Sequence, residues 1–91
     1  AVLNAHPEIK KIRVEGHSDR TGNANFNLRL SKKRADTVVR YLVGRGKVRR
    51  SRLVAKGLGS TDPLVPDAQT KEELALNRRV EFHIVDTADS P

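Results

Sequence analysis

The 91-residue chain contains no cysteine, methionine or tryptophan, and its aromatic side chains are Phe26, Tyr41 and Phe82. Without cysteine there is neither a disulfide framework nor thiolate chemistry, and oxidising and reducing compartments are both compatible with the sequence. With so few aromatics, the core has to be assembled mainly from Val, Leu, Ile and Ala. No apolar run approaches the roughly 20 residues of a bilayer-crossing helix, and the first residues do not form a signal peptide. The opening AVLNAHPEIKK reads as the tail of a helix, so the expectation is a piece excised from a longer protein.

What is present is charge. Ninety-one residues make one domain with a modest core and no second lobe. Hydrophobic residues are 36% and charged residues 32%, so the chain folds but leaves a heavily charged surface. Eighteen basic residues against 11 acidic ones give +7. That balance favours acidic partners, whether nucleic acid, anionic lipid or a carboxylate-rich polymer, without choosing among them.

Along the chain there is no internal repeat. AVLNAH is a short helical remnant stopped by Pro7, because the residue before proline avoids the α region. KIRVEG alternates Ile12 and Val14 with Arg13 and Glu15, the pattern of a strand with one buried face. From about Asn25 to Val43 the pattern is helical, with Leu28, Ala35, Val38, Val39 and Leu42 on one stripe, and Gly44 and Gly46 end it. SRLVAKGLG predicts a second strand, and STDPLVPDAQ a proline-punctuated loop. Thr70 and Glu73 form a capping-box pattern at the start of a short helix. RRVEFHIV closes with Val80, Phe82 and Ile84 on one face, followed by a polar tail at residues 87–91. The order is helix, strand, helix, strand, short helix, strand, which predicts one sheet covered by helices on one face.

Between the first strand and the long helix stands VEGHSDRTG, where hydrogen-bonding side chains crowd a turn. Glycines 16 and 22 are expected to make that turn tight and to bring Asp19 to the sheet edge. On the helix, Arg29, Lys33, Asp36 and Arg40 fall on a solvated face. Arg34 lies one heptad from Asn27, and both border the apolar stripe beside Leu30, Val38 and Tyr41. An arginine there can lay its stem on apolar surface and present its guanidinium at the sheet rim, as a binding group or as half of a structural ion pair.

Enzymatic chemistry finds little support. His17, Ser18 and Asp19 are consecutive, but neighbours on an extended chain point in opposite directions and do not form a nucleophile–base–orienter set. No Gly-x-Ser-x-Gly elbow occurs. His6, His17 and His83 are scattered without ligand spacing, so no metal site and no cofactor are expected. The stretch RGKVRRSR (residues 45–52) is a candidate for phosphate contacts. It lacks interleaved aromatics and matches no helix-turn-helix or finger spacing.

The motifs together resemble one family. VEGHSDRTGNANFNLRLSKKRADTVVRYLVGRG, RLVAKGLGSTDPLVP and NRRVEFHIV are similar to the carboxy-terminal OmpA-like domain, a family that includes the peptidoglycan-associated lipoprotein and the flagellar stator protein MotB. The carrying features are a Gly-His-Ser/Thr-Asp loop, a Leu-Ser-x-x-Arg-Ala helix, a Gly-x-Gly-x-x-x-Pro turn and an Asn-Arg-Arg-Val strand entry, in order. The resemblance implies an α/β (α+β) two-layer sandwich of βαβαβαβ type over residues 1–86, with the first strand absent and a mixed sheet. It implies non-enzymatic, non-covalent binding of peptidoglycan through the diaminopimelate of the stem peptide. By position, Asp19 and Arg34 correspond to the residues that hold diaminopimelate, and Thr21, Asn27 and Arg78 to supporting contacts.

The resemblance further implies a place on the periplasmic side of the envelope, associated with the outer membrane. Any membrane attachment would come through a missing amino-terminal region. An unpaired sheet edge makes a homodimer a further expectation, and the alternatives are a basic nucleic-acid-binding module or an envelope scaffold. Two local departures stand out. Ser18 takes a usual threonine position, and Glu73 and Leu74 replace a customary Gly-Arg pair.

Overall fold

The alternation at Ile12 and Val14 becomes the central strand of a three-stranded sheet. The computed structural model describes residues 2–87: β1 (Ile9–His17), α1 (Ala24–Gly44), β2 (Leu53–Gly59), α2 (Lys71–Asn77) and β3 (Val80–Thr87), with 3-10 turns at Val2–Ala5 and Arg50–Arg52. Strand order is β2-β1-β3. The β1–β2 pair is parallel, with Val14 beside Ala55, and the β1–β3 pair is antiparallel, with Val14 beside Phe82. A parallel pair needs a crossover, and α1 supplies it by packing on β1 and β2. The expected order of elements and the mixed sheet with a helical layer are therefore what the molecule has. Residues 88–91 of the expected polar tail lie outside the described residues.

Local chemistry sets the helix ends. The side chain of Asn23 accepts the Phe26 N–H at 3.0 Å to start α1. The capping box of α2 forms as expected, with Thr70 accepting the Glu73 N–H and the Glu73 carboxylate accepting the Thr70 N–H.

The core consists of Ile12, Val14, Ala35, Val39, Val48 and Leu53. The helix stripe differs from expectation in its first half. Leu28 is exposed, and the buried residues of α1 are Asn27, Ser31, Ala35 and Val39, one per turn. The physical reason is how closely α1 crosses the sheet. A Cβ added at Gly16 would lie 1.9 Å from the Ser31 carbonyl oxygen, and one at Gly57 would lie 2.5 Å from the Lys32 nitrogen. A leucine-sized side chain has no room in such a crossing. Ser31 fits because its hydroxyl donates to the Leu28 carbonyl at 2.8 Å and accepts the Gly59 N–H at 2.9 Å. Gly16 thus serves helix packing inside β1. The tight turn belongs to Gly22, whose φ is +84°.

Two further expectations are corrected. β1 does not have one buried face and one wet one, because Glu15 and His17 on the side away from α1 are also buried. On β3, Phe82 and Ile84 are exposed although they share a face with Val14 and Ile12. The reason is that α1 lies over β1 and β2 rather than over β3.

Replacing Gly16 with alanine forces backbone apart, so Gly16→Ala is expected to destabilise the fold by about 3 kcal/mol, at the upper end of overpacking costs. Gly44 has open space around its Cβ position, so Gly44→Ala is expected to be neutral or stabilising by up to about 1 kcal/mol. Urea unfolding of the two variants beside the parent measures both.

Candidate functional site

Where β1 ends, its backbone is held from both sides. The His17 N–H donates to the Arg79 carbonyl and the Ser18 N–H to the Gly59 carbonyl, each at 2.8 Å. The loop that follows is consequently fixed against the end of β2 and the entry to β3. Asp19 is buried in it. One carboxylate oxygen (Oδ1) accepts the Thr21 N–H at 2.9 Å and also the Thr21 hydroxyl, an Asx-type turn that stiffens the loop. The other oxygen (Oδ2) takes an Arg78 guanidinium N–H at 2.5 Å. Helix α1 adds a third anchor, since Asn27 Nδ2 donates to the carbonyls of Thr21 at 2.6 Å and Asp19 at 3.4 Å. Arg20 reaches away from this centre to the Ala68 carbonyl and ties the loop to the segment before α2.

The Thr21 hydroxyl does most to hold the Asp19 carboxyl below its ordinary value. Burial pulls the other way, and the Arg78 bond with the Thr21 amide outweighs it. An ionised carboxylate offers about four acceptor positions. Three are taken here, so Asp19 is oriented by its own protein and still has room for one more donor.

Arg34 stands exposed on α1, two turns beyond Asn27. It lines a surface cavity of about 440 Å³ with Leu30, Lys33, Thr37, Val38 and Val80. Val80 is two residues past Arg78, so the Asp19 loop and the Arg34 cavity both border the entry to β3. Of the five residues singled out in the sequence, Asp19, Thr21, Asn27 and Arg78 form one hydrogen-bonded network. Arg34 is not part of that network, and the cation that Asp19 engages is Arg78.

Asn77 escaped the sequence reading. It is buried and pins the proline loop by exchanging two bonds with the Val65 backbone, accepting at 2.8 Å and donating at 3.1 Å. Its position just ahead of the Arg-Arg pair was the available signal. The consecutive His17, Ser18 and Asp19 do not assemble into a triad. The Ser18 hydroxyl and His17 Nδ1 are buried without a hydrogen-bond partner among the described residues, and His17 Nε2 faces Glu15 at 3.3 Å. The histidines, however, are less scattered in space than in sequence. Antiparallel pairing puts Glu15 opposite Glu81 and Arg13 opposite His83, and so gathers His17 and His83 on one face.

In the basic run at 45–52 the Arg52 side chain is held by structure, while Arg45, Lys47, Arg49 and Arg50 are exposed. The Arg45 N–H closes the last turn of α1 on the Tyr41 carbonyl, Val48 is buried, and the Arg52 guanidinium donates to the carbonyls of His6 and Ile9 at 3.0 and 2.8 Å.

A model of the OmpA family matches residues 1–78. Over 81 residues the chain is 41% identical to the probable lipoprotein YiaD of Escherichia coli, covering 89% of this chain and 36% of that protein. Over 80 residues it is 42% identical to the peptidoglycan-binding protein ArfA of Mycobacterium tuberculosis, covering 88% of this chain and 24% of that protein. The chain therefore spans about a quarter to a third of these curated relatives. Among solved structures, the peptidoglycan-associated lipoprotein from Burkholderia pseudomallei superimposes with a TM-score of 0.79 at 32% identity, over 89% of this chain and 66% of that one.

Because the folded Asp19 carboxyl is depressed, its stabilising effect is present above the unfolded carboxylate value of about 3.9 and is lost as pH falls through the lower folded value. Thermal unfolding of the parent and of Asp19→Asn between neutral and strongly acidic pH tests this. The gap between them is expected to be widest near neutrality and to close below about pH 3.9; a gap independent of pH would show that the carboxylate's charge contributes nothing.

Proposed function

The chain belongs to the OmpA family, and from that premise we propose that it binds peptidoglycan non-covalently through the diaminopimelate of the stem peptide. The observation that supports the reading is Asp19, a carboxylate oriented by Arg78 and Thr21, on a loop that Asn27 ties to α1, the helix that also carries the exposed Arg34. Relatives whose names state peptidoglycan binding or association support the same reading.

The free end of diaminopimelate carries an ammonium and a carboxylate on one carbon. A neutral pocket would strip water from both charges without return. Asp19, with its remaining acceptor position, meets the ammonium, and Arg34 forks onto the carboxylate. Arg78 and Thr21 hold Asp19 in place, and Asn27 holds the loop to the helix that carries Arg34. Charge-assisted hydrogen bonds of this kind contribute on the order of 1.5–3 kcal/mol each. Two of them in a preformed site are enough for micromolar affinity, about −8 kcal/mol. Stem peptides with lysine lack the second carboxylate and leave Arg34 unmatched, which gives the site its selectivity.

Binding of this kind needs no catalysis and no cofactor. In the envelope it would anchor the protein that carries the domain, on the periplasmic side and in association with the outer membrane. The nucleic-acid alternative rests on the exposed Arg45, Lys47, Arg49 and Arg50 alone, and charge by itself does not select nucleic acid.

Sedimentation with purified, nucleic-acid-free sacculi tests the proposal. The parent chain is expected to co-sediment. Arg34→Ala, at an exposed position that leaves the loop network intact, is expected to weaken binding by roughly 10- to 100-fold, the equivalent of one charge-assisted bond. Titration with free meso-diaminopimelate is expected to shift amide resonances of Asp19, Thr21 and Arg34, whereas shifts confined to residues 45–52 would overturn the placement.

A further inference from the structure

On the side of the sheet away from α1, the β1–β3 pairing builds a second polar centre that the wall-binding reading does not use. Glu15 and His17 of β1 are buried, and Glu81 and His83 of β3 reach toward them. Glu15 Oε1 lies 3.3 Å from His17 Nε2 and 3.2 Å from His83 Nε2. Glu81 Oε1 lies 2.9 Å from His83 Nε2 and 4.0 Å from His17 Nε2. One carboxylate oxygen from each glutamate thus faces the imidazole nitrogens of both histidines. Donor atoms from Glu15, His17 and Glu81 all fall within 4.8 Å of one another.

We propose that Glu15, His17, Glu81 and His83 form a site for a divalent transition cation of the zinc, copper or nickel class. Three features carry this. First, donors about 2.0–2.1 Å from a zinc ion stand about 3.4 Å apart at tetrahedral angles, and the Glu15–His17, Glu15–His83 and Glu81–His83 separations of 3.3, 3.2 and 2.9 Å lie near that spacing, with Glu81–His17 wider at 4.0 Å. Second, the donor set is mixed imidazole and carboxylate, which suits these ions and not magnesium or calcium. Third, the outer oxygens are already occupied. The Arg13 guanidinium holds Glu15 Oε2 at 2.5 Å and the Arg79 guanidinium holds Glu81 Oε2, so each carboxylate presents its other oxygen inward as a single donor. Such outer partners are what orient metal ligands.

The electrostatics of the cluster agree. Burial of Glu15 works to raise its carboxyl, but the hydrogen bond from Arg13 and the charges of His83 and Arg13 hold it below the ordinary value. For Glu81 the Arg79 bond and then the His83 bond do the same. Both glutamates are thereby kept ionised, the form a cation requires. A bound ion would clasp β1 to β3 at the point where the Asp19 loop begins. The site shares no ligand with Asp19 or Arg34, so it stands or falls independently of peptidoglycan binding.

The test is calorimetric titration of tag-free, chelator-treated protein with zinc chloride and copper chloride, and magnesium chloride as control. Zinc or copper is expected to bind one ion per chain and to raise the unfolding temperature, while magnesium does neither. Because Glu15 and His17 are buried, the informative variants are on β3, where the His83 and Glu81 side chains are 41% and 29% exposed. His83→Ala and Glu81→Gln, checked for native circular dichroism, are each expected to weaken binding at least roughly tenfold, the loss that even an outer-shell change brings about. His6→Ala is expected to bind like the parent. Absence of saturable zinc and copper binding, or binding undiminished in both β3 variants, would overturn the proposal and leave a purely structural ion-pair network.

Discussion

The contact on which the molecule depends is the crossing of α1 over Gly16 and Gly57. Backbone meets backbone there, with Ser31 as the side chain that fits the gap and bonds to both sides of it. The crossing fixes the height and rotation of the helix. One turn before it, Asn27 reaches the loop carbonyls; three residues after it, Arg34 reaches the cavity beside Val80. Had α1 sat farther out on large side chains, as an ordinary leucine stripe would hold it, Asn27 would not reach the loop. The polar residues Asn27 and Ser31 in the first half of the helix tie α1 to the Asp19 loop and to the sheet.

Charge is organised on a second level. The chain carries +7, yet the carboxylates at its structural centres are each matched to a guanidinium: Asp19 to Arg78, Glu15 to Arg13 and Glu81 to Arg79. In each case a hydrogen bond accompanies the ion pair, which is what makes a buried carboxylate tolerable. The excess positive charge is left to the surface, where Lys33, Arg40 and Arg49 are exposed.

Much of this was legible in the sequence. Strands show as period-two alternation at Ile12 and Val14, the helix as a stripe through Ala35, Val38 and Val39, and the α2 start as Thr70 and Glu73. The residues of the Asp19 network were legible in a different way, through the order of their motifs. What stayed hidden depends on pairing between distant segments. Gly16 looks like a turn residue until the helix that presses on it is in place. Glu15 looks solvent-facing until Glu81 and His83 come alongside it, 66 and 68 residues later in the chain. Phe82 and Ile84 look like core because alternation gives a strand's faces but not the width of the helix that covers them. Period and propensity act over a few residues, whereas burial is decided by what arrives from elsewhere.

The central position of β1 has a consequence for the order of events during synthesis. Its partner on one side begins at Leu53 and on the other at Val80, so β1 waits for β3 before both of its edges are paired. The Asp19–Arg78 bond spans 59 residues. Contacts so far apart in sequence are the slow ones to form. The corner at Asp19 therefore cannot exist on a nascent chain; it comes into being only after nearly the whole domain has been threaded out.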